Sequence, residues 1–245
     1  MCFALLSFLL ATSQRAQAQT REAYVAQSAG KTTLTFYYDA LRATRAGTTW
    51  GILERKYVPG DDTYPEWTGI SEEVDTTIAR VVFDASFRDF RPTTTARWFS
   101  HCKALKQIEG LEYLNTSKVD DMSAMFCGCS ALTSLDLQHF NTQNVEAMFG
   151  MFRGCTVLTS LDLPHFNTQK LLDTRKMFDG CSSLTSLDLQ HFDPKKETDM
   201  RRMFYDCAAL TTIHSNTTWQ CQESEDMFAG CTKLKGAVAY DKNKV

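Results

Sequence analysis

The sequence predicts an α/β protein built as a solenoid, in which one short parallel strand and one short helix recur along most of the chain. Two observations lead to this prediction. The stretches MFRGCTVLTSLDL, beginning at Met151, and MFDGCSSLTSLDL, beginning at Met177, are almost identical. Each repeat also contains one strand-like and one helix-like apolar pattern. A unit of about 26 residues is too small to bury its own apolar face, so consecutive units must stack.

Cysteines set the period of the repeat. They stand at Cys102, Cys129, Cys155, Cys181, Cys207 and Cys231. Repeats that stack at the strand spacing of about 4.8 Å align these thiols in a column. Their Cβ vectors then run parallel instead of facing each other, which disfavours disulfides. We therefore predict a buried structural ladder of thiols. A metal site is the alternative, although single cysteines at even intervals do not build a tetrahedral ligand cluster.

Each repeat divides into two halves with different periods. In LTSLDLQHF, Leu135 and Leu137 alternate with polar residues, as in a half-buried strand. In the other half, Val145, Met148 and Phe152 are spaced like one face of a short helix. A residue with positive φ should close each helix. The residues at this place are Gly128, Gly154, Gly180, Asp206 and Gly230.

The N-terminal part of the chain lacks this period. Residues 1–18 contain a short apolar run and the sequence Ala-Gln-Ala, a pattern typical of an export signal, with a buried apolar N-terminus as the alternative. Residues 19–80 are predicted to form a small β-rich cap over the first repeat, with an independent ligand-binding module as the alternative. The repeats are assigned to residues 81–245.

Composition narrows the classes of function. The chain is 43% apolar and 22% charged, with a formal net charge of −3, as expected of a folded protein. No basic run is present to follow a phosphate backbone, so we expect no nucleic-acid partner. No apolar run has the 18 or so residues of a membrane-spanning helix. The motifs G-x-S-x-G, H-E-x-x-H and the P-loop are missing, so we expect neither an enzyme nor a bound cofactor.

The outward positions of the strands form two polar columns. One contains Glu109, Asp136, Asp162, Asp188 and His214, and the other contains His139, His165 and His191. Like charges stacked at strand spacing repel each other, so solvent, the histidines, a cation or a basic partner should offset the acidic column. This face is either a solvated polar surface or the surface that binds a partner. A calcium stack is a third reading, but the Gly-rich nonapeptide of such stacks is missing.

Units of the form MFxGCxxLTSLDLxxFNTxxV resemble the BspA-like leucine-rich-repeat surface proteins of bacteria, over about residues 81–236. The stretch TTLTFYYDALRATRAGTTW, beginning at Thr32, looks like the N-terminal module that opens many of these proteins. The resemblance implies a leucine-rich-repeat solenoid without catalytic residues. One departure is FDPKKETDM, which puts Pro194 where the other units carry FNTQNVEAM.

The resemblance also implies a function. Members of the family are secreted or displayed on the cell surface, where they bind host or bacterial macromolecules. We therefore expect a recognition or adhesion protein whose partner is a host or bacterial surface or extracellular protein. The alternative is a structural surface or matrix spacer without a specific ligand.

Overall fold

The computed structural model describes residues 20–60, 63–68, 77–163, 166–195, 197–216, 218–219 and 221–235. The predicted export signal at residues 1–18 lies outside the described residues.

An N-terminal sheet leads directly into the repeats. Its strands are β1 (Glu22–Gln27), β2 (Thr33–Asp39), β3 (Thr48–Gly51), β4 (Arg80–Phe83) and β5 (Gln107–Glu109), in the order β3-β1-β2-β4-β5. Strand β1 is antiparallel to β2 and β3, whereas β2, β4 and β5 are parallel. Phe36 of β2 lies opposite Phe83 of β4. The sheet therefore changes from hairpin pairing to the parallel stacking that the repeats continue.

Short 3₁₀ turns connect these strands. They span Arg42–Thr44, Glu66–Thr68, Ala85–Asp89 and Leu111–Tyr113. The turn at Ala85–Asp89 begins at Asp84, whose carboxylate accepts a hydrogen bond from the Ser86 N–H. This is ordinary capping by an acidic side chain.

The later repeats stack along two parallel ladders. One is a sheet of three short strands, β6 (Ser160–Leu161), β7 (Ser186–Asp188) and β8 (Thr212–His214), in which Leu187 pairs with Leu161 and Ile213. The other is a series of single parallel bridges. It joins Thr94, Asp121, Ala147, Asp173, Asp199 and Glu223. Repeats one period apart therefore lie next to each other in register.

The predicted helices are wrong. The part of the chain that the structure describes contains no α-helix, and turns occupy their places. A helix needs each N–H to bond four residues back. Here alternate N–H groups point to the next repeat: Met122 donates to Ala147 and Ala124 to Phe149, at 2.9 and 2.7 Å. The intervening Met125 N–H donates three residues back, to Met122. Bonds between repeats thus replace the bonds of a helix.

Positive φ at the glycine position is confirmed. Gly128, Gly154, Gly180, Asp206 and Gly230 have φ of 72°, 71°, 73°, 56° and 82°. Each closes a turn instead of a helix: Cys155 N–H, for example, donates to Phe152 O across Gly154. This is the position at which a type II turn requires positive φ, which explains the preference for glycine.

The core of the stack is a column of phenylalanines beside a column of cysteines. The rings of Phe126, Phe152, Phe178 and Phe204 lie 5.4–5.8 Å apart between successive centroids and are nearly parallel, at 3–10°. All four are buried, as are Leu132, Leu158, Leu184 and Leu210. Repetition of one side chain per unit therefore builds a continuous core.

Candidate functional site

The strand face presents the predicted acidic column to solvent. Asp136, Asp162, Asp188 and His214 are exposed, and Asp188 pairs with His214 in the β7–β8 register. In the second column, His139 and His191 are also exposed, while His165 lies outside the described residues. The described members of both columns are thus accessible to a partner, except that Glu109 is half-exposed.

Two aspartates of this face also accept hydrogen bonds from the backbone two residues later. Asp136 Oδ1 accepts a hydrogen bond from the Gln138 N–H at 3.0 Å, and Asp188 Oδ1 accepts one from the Gln190 N–H at 2.9 Å. These are Asx turns, in which a short polar side chain mimics a backbone turn. Asp136 and Asp188 therefore have a local structural role, whether or not the face binds a partner.

Glu109 differs from the other acidic residues in the column. Its carboxylate forms an ion pair with Arg80 on the neighbouring strand β4. The hydrogen bonds from this guanidinium hold the pKa of Glu109 below its usual value. The acidic strip available to a partner consequently begins at Asp136 rather than at Glu109.

Hydroxyl groups line the strand face beside the aspartates. Thr185 Oγ1 donates to the carbonyl oxygen of Thr159 at 3.2 Å, and Thr211 Oγ1 donates to that of Thr185 at 2.9 Å. All three threonines are exposed. The strand face is consequently a polar surface fixed by hydrogen bonds between repeats.

The cysteine column lies inside the stack. Cys102, Cys129, Cys155, Cys181 and Cys207 are buried, and Cys231 at the last described repeat is half-buried. Each thiol after the first donates to the phenylalanine carbonyl of the preceding repeat: Cys155 Sγ lies 3.3 Å from Phe126 O, and Cys181 Sγ lies 3.1 Å from Phe152 O. Burial raises the pKa of Cys181 to about 12 and that of Cys155 well above its usual value. These thiols are suited to packing, not to reaction.

Cys127 lies outside the column. Its position matches Arg153 and Asp179 of the next two repeats, which predicts a side chain that faces solvent. This prediction is wrong, because Cys127 is half-buried. Burial raises the pKa of its thiol. Asp179, two repeats along at the same position, is also buried. The turn geometry therefore allows this position to be buried in some repeats, although Arg153 at the same position is exposed.

A second charged surface, on the turn side of the stack, was missed in the sequence. Arg175 pairs with Asp173 at 2.7 Å within its repeat and with Asp199 of the next repeat at 3.5 Å. The nearby Asp179 carboxylate is buried between Arg153 and Arg202, at 3.7 and 3.5 Å. Burial raises the pKa of Asp179 against the influence of these arginines. The recurring D-x-R pattern at Asp173 and Asp199 was the available signal.

A cavity of about 180 Å³ opens where the N-terminal module meets the first repeat. It is lined by Gly51, Leu53, residues 55–57, residues 63–67, Ala96 and Arg97. The sequence of residues 58–69, with its prolines and glycines, predicts only a turn-rich loop and gives no sign of a cavity. No metal-binding group of three His, Cys, Asp or Glu residues is found among the described residues. None of the described helices is long and apolar enough to cross a membrane.

The repeats match the model of a known protein family. The model of a family described as "Mycoplasma protein of unknown function, DUF285" matches residues 93–211 and 160–241, together more than half of the chain. The chain belongs to this family. Family members carry repeats of the BspA-like type, so the resemblance seen in the repeated units is confirmed. No curated protein matches the sequence.

Two solved structures are similar in outline. A T. pallidum leucine-rich repeat protein is 15% identical, with a TM-score of 0.49, over 86% of this chain and 87% of that one. A leucine-rich repeat protein from Bacteroides ovatus is also 15% identical, with a TM-score of 0.23, over 87% of this chain and 80% of that one. Similarities this low carry no argument about function.

Proposed function

We propose that this protein is a leucine-rich-repeat solenoid that recognises another macromolecule, most directly a host or bacterial protein, outside the cell. The observation that carries the proposal is the exposed strand face, on which Asp136, Asp162 and Asp188 stand at one position of three successive repeats. A strip supported by hydrogen bonds between repeats loses little conformational freedom on binding, which favours affinity. The repeat architecture supports the proposal of a binding protein, because stacked repeats present the extended surfaces that such proteins use.

The charge of the strip selects the class of partner. Carboxylates about 5 Å apart along the stack repel each other, and a basic partner would relieve that repulsion. We infer that the partner presents an extended row of lysines or arginines. Binding without catalysis is part of the same proposal, since the motifs of common hydrolases and nucleotide-binding enzymes are missing from the sequence. The A-x-A sequence at residues 16–18 supports export.

The proposal is tested with Asp136→Asn, Asp162→Asn and Asp188→Asn combined. Asparagine keeps the Oδ1 acceptor of the Asx turns, so the free energy of unfolding should change by less than about 0.5 kcal/mol. The immobilised protein is incubated with purified extracellular-matrix proteins and with bacterial surface extracts. Binding of a captured protein should weaken as salt rises, because exposed charges are screened within about 8–10 Å at physiological ionic strength.

A matched control removes the same amount of charge elsewhere. Glu112→Gln, Glu225→Gln and Asp226→Asn change three exposed acidic residues outside the strip. Only the strip variant should lose binding. If both triple variants bind a captured protein as tightly as the wild type, the strand face is a solvated surface. If nothing is captured specifically, the spacer function gains support instead.

A further inference from the structure

The cavity beside the first repeat is held open by contacts far apart in sequence. Lys56 Nζ lies 2.6 Å from Asp120 Oδ2, and the Tyr57 N–H donates to Asp121 Oδ2 at 2.6 Å. The Tyr57 ring stacks on Phe149, with 4.8 Å between centroids. These contacts fix Lys56 and Tyr57 against two successive repeats. One wall of the cavity is therefore preformed.

Arg97 is the buried charged residue of the cavity. It is only 8% exposed, and its guanidinium carbon lies 4.7 Å from the ring centroids of both Tyr57 and Tyr64. Its Nη1 donates to the carbonyl oxygen of Thr63 at 2.6 Å. A guanidinium carries five N–H donors in one plane, and this bond uses one of them. Because Arg97 lines the cavity, it is placed to donate to a ligand there.

The remaining lining adds positive charge and apolar surface. The charged lining residues are Arg55, Lys56, Glu66 and Arg97; since Asp120 pairs with Lys56, Arg55 and Arg97 remain against Glu66 and leave one net positive charge. Leu53, which lines the cavity, and Val58, which follows the lining residue Tyr57 in the chain, are 59% and 53% exposed, the highest values among the large apolar side chains described as exposed. Apolar side chains exposed together beside a cavity often mark a surface that a partner covers.

The size of the cavity limits what enters it. A cavity of about 150 Å³ admits a benzene molecule, so about 180 Å³ accepts one side chain or a chain end. Tyr57, Tyr64 and Trp67 contribute aromatic surface, which suits the carbon atoms next to a charged group. A single buried guanidinium matches a single negative charge, and Glu66 disfavours a dianion.

We propose that this cavity binds one carboxylate of a partner peptide, while an apolar residue next to that carboxylate packs on Leu53 and Val58. A planar guanidinium can donate two parallel hydrogen bonds to the two carboxylate oxygens. The carboxylate belongs to an Asp or Glu side chain or to a chain terminus, which offer the same pair of oxygens. This site is separate from the acidic strand face, so its failure would leave the proposed function standing.

Binding is measured on the full chain by NMR titration of the tryptophan indole N–H signals. Trp67 lines the cavity, and its Nε1–H donates to Trp98 O at 2.8 Å, whereas Trp219 lies near the last repeats against Phe192. The probes are acetyl-Leu-Glu-Leu-amide, the matching Gln peptide, and acetyl-Leu-Leu with a free terminus. The Trp67 signal should shift saturably with one or both carboxylate peptides, and Trp219 should not.

Two pairs of variants identify the site. Leu53→Glu puts a negative charge at the rim without touching the buried arginine, and Leu172→Glu makes the same change at a similarly exposed leucine elsewhere. Arg97→Lys keeps the charge but loses the planar donor pair, and Arg202→Lys makes the same change at the equivalent position of a later repeat. Leu53→Glu and Arg97→Lys should weaken binding about 10- to 100-fold, the loss expected for a charge-assisted hydrogen-bonded pair. The two controls should bind normally.

Each other outcome overturns the proposal. If the titration of the Trp67 signal gives the same affinity for the Gln peptide as for the Glu peptide, the cavity recognises the shape of the peptide and not its charge. If none of the three peptides gives a saturable shift, the cavity is not a peptide site. If Leu53→Glu binds as tightly as Leu172→Glu, the carboxylate binds elsewhere.

Discussion

The molecule contains two aromatic cores that differ in geometry. In the N-terminal module, Phe36 contacts Trp67, Phe83, Phe87, Trp98 and Phe99, at interplanar angles from 21° to 86°. In the repeats, phenylalanines stack on their equivalents within 10° of parallel from Phe126 to Phe204. Equivalent phenylalanines have the same orientation in successive repeats, so their rings are parallel and edge-to-face packing between them is excluded. The N-terminal core is free of that constraint.

The difference has an energetic consequence. Contacts in a stack of repeats are made mainly with nearest neighbours, so a defect is felt mostly by the adjacent repeats. The N-terminal core gathers β2, β4 and the first repeat around a single ring, so a defect there should affect all of them at once. The two regions should therefore respond differently to the same kind of substitution.

The largest effect is expected for Phe36→Ala. Removal of a buried phenylalanine costs about 3–5 kcal/mol, and five neighbouring rings cannot all move to fill the space. Urea denaturation measures the loss, and hydrogen exchange should rise in β1, β2, β4 and β5 more than around Phe204. Phe178→Ala is the comparison, with increased exchange centred on its own and the adjacent repeats. Uniform exchange changes in both variants would contradict the division into two cores.

A smaller effect is expected for Gly180→Val. The φ of Gly180 is 73°, which an L-residue adopts at a cost of about 1–2 kcal/mol. Space is not the obstacle, since an added Cβ would lie 3.8 Å from the nearest atoms of Gly154. Asp206 occupies the same position in the next repeat, so Gly180→Asn should cost less than Gly180→Val in urea denaturation. Equal costs would show that packing, and not backbone conformation, is the reason for glycine at this position.

The smallest effect is expected for Cys155→Ala, about 1 kcal/mol at neutral pH, from the lost thiol packing and hydrogen bond. The pH dependence is more informative. The unfolded thiol ionises near pH 8.5, while burial keeps the folded thiol protonated to higher pH. Stability is therefore full below about pH 8.5 and falls above it, by about 1.4 kcal/mol per pH unit for each such thiol.

Cys155→Ala removes one of these protons. The free energy of unfolding, measured by urea denaturation at each pH, should therefore fall less steeply between about pH 9 and 10. The slope should be smaller by about 1.4 kcal/mol per pH unit, the value for one proton. Alkylation of denatured protein without reductant should label Cys129, Cys155 and Cys181, whereas the native protein should protect them. An unchanged pH slope, or rapid labelling of the native protein, would contradict the buried column.

The period of the repeat and the residues of its columns can be predicted from the sequence alone. Cys155 and Gly154 recur because one side chain per repeat stacks on its equivalents, and repetition along the chain is visible without any structure. Exposure of Asp136 and Asp188 followed from the alternation of LTSLDL, which is a local pattern. Positive φ at Gly180 followed from its place after an apolar run, because the need for a left-handed residue is also local.

The tertiary structure decided the rest. The spacing of Val145, Met148 and Phe152 fits a helix and a chain of three-residue turns alike, and only the hydrogen bonds to the neighbouring repeat select the turns. The cavity at Arg97 depends on residues 53–58 crossing to the repeats, as in the ion pair of Lys56 with Asp120, 64 positions away. A contact between such distant residues does not recur with the repeat, so no periodic pattern in the sequence indicates it. It also forms only when the fold has brought the two segments together.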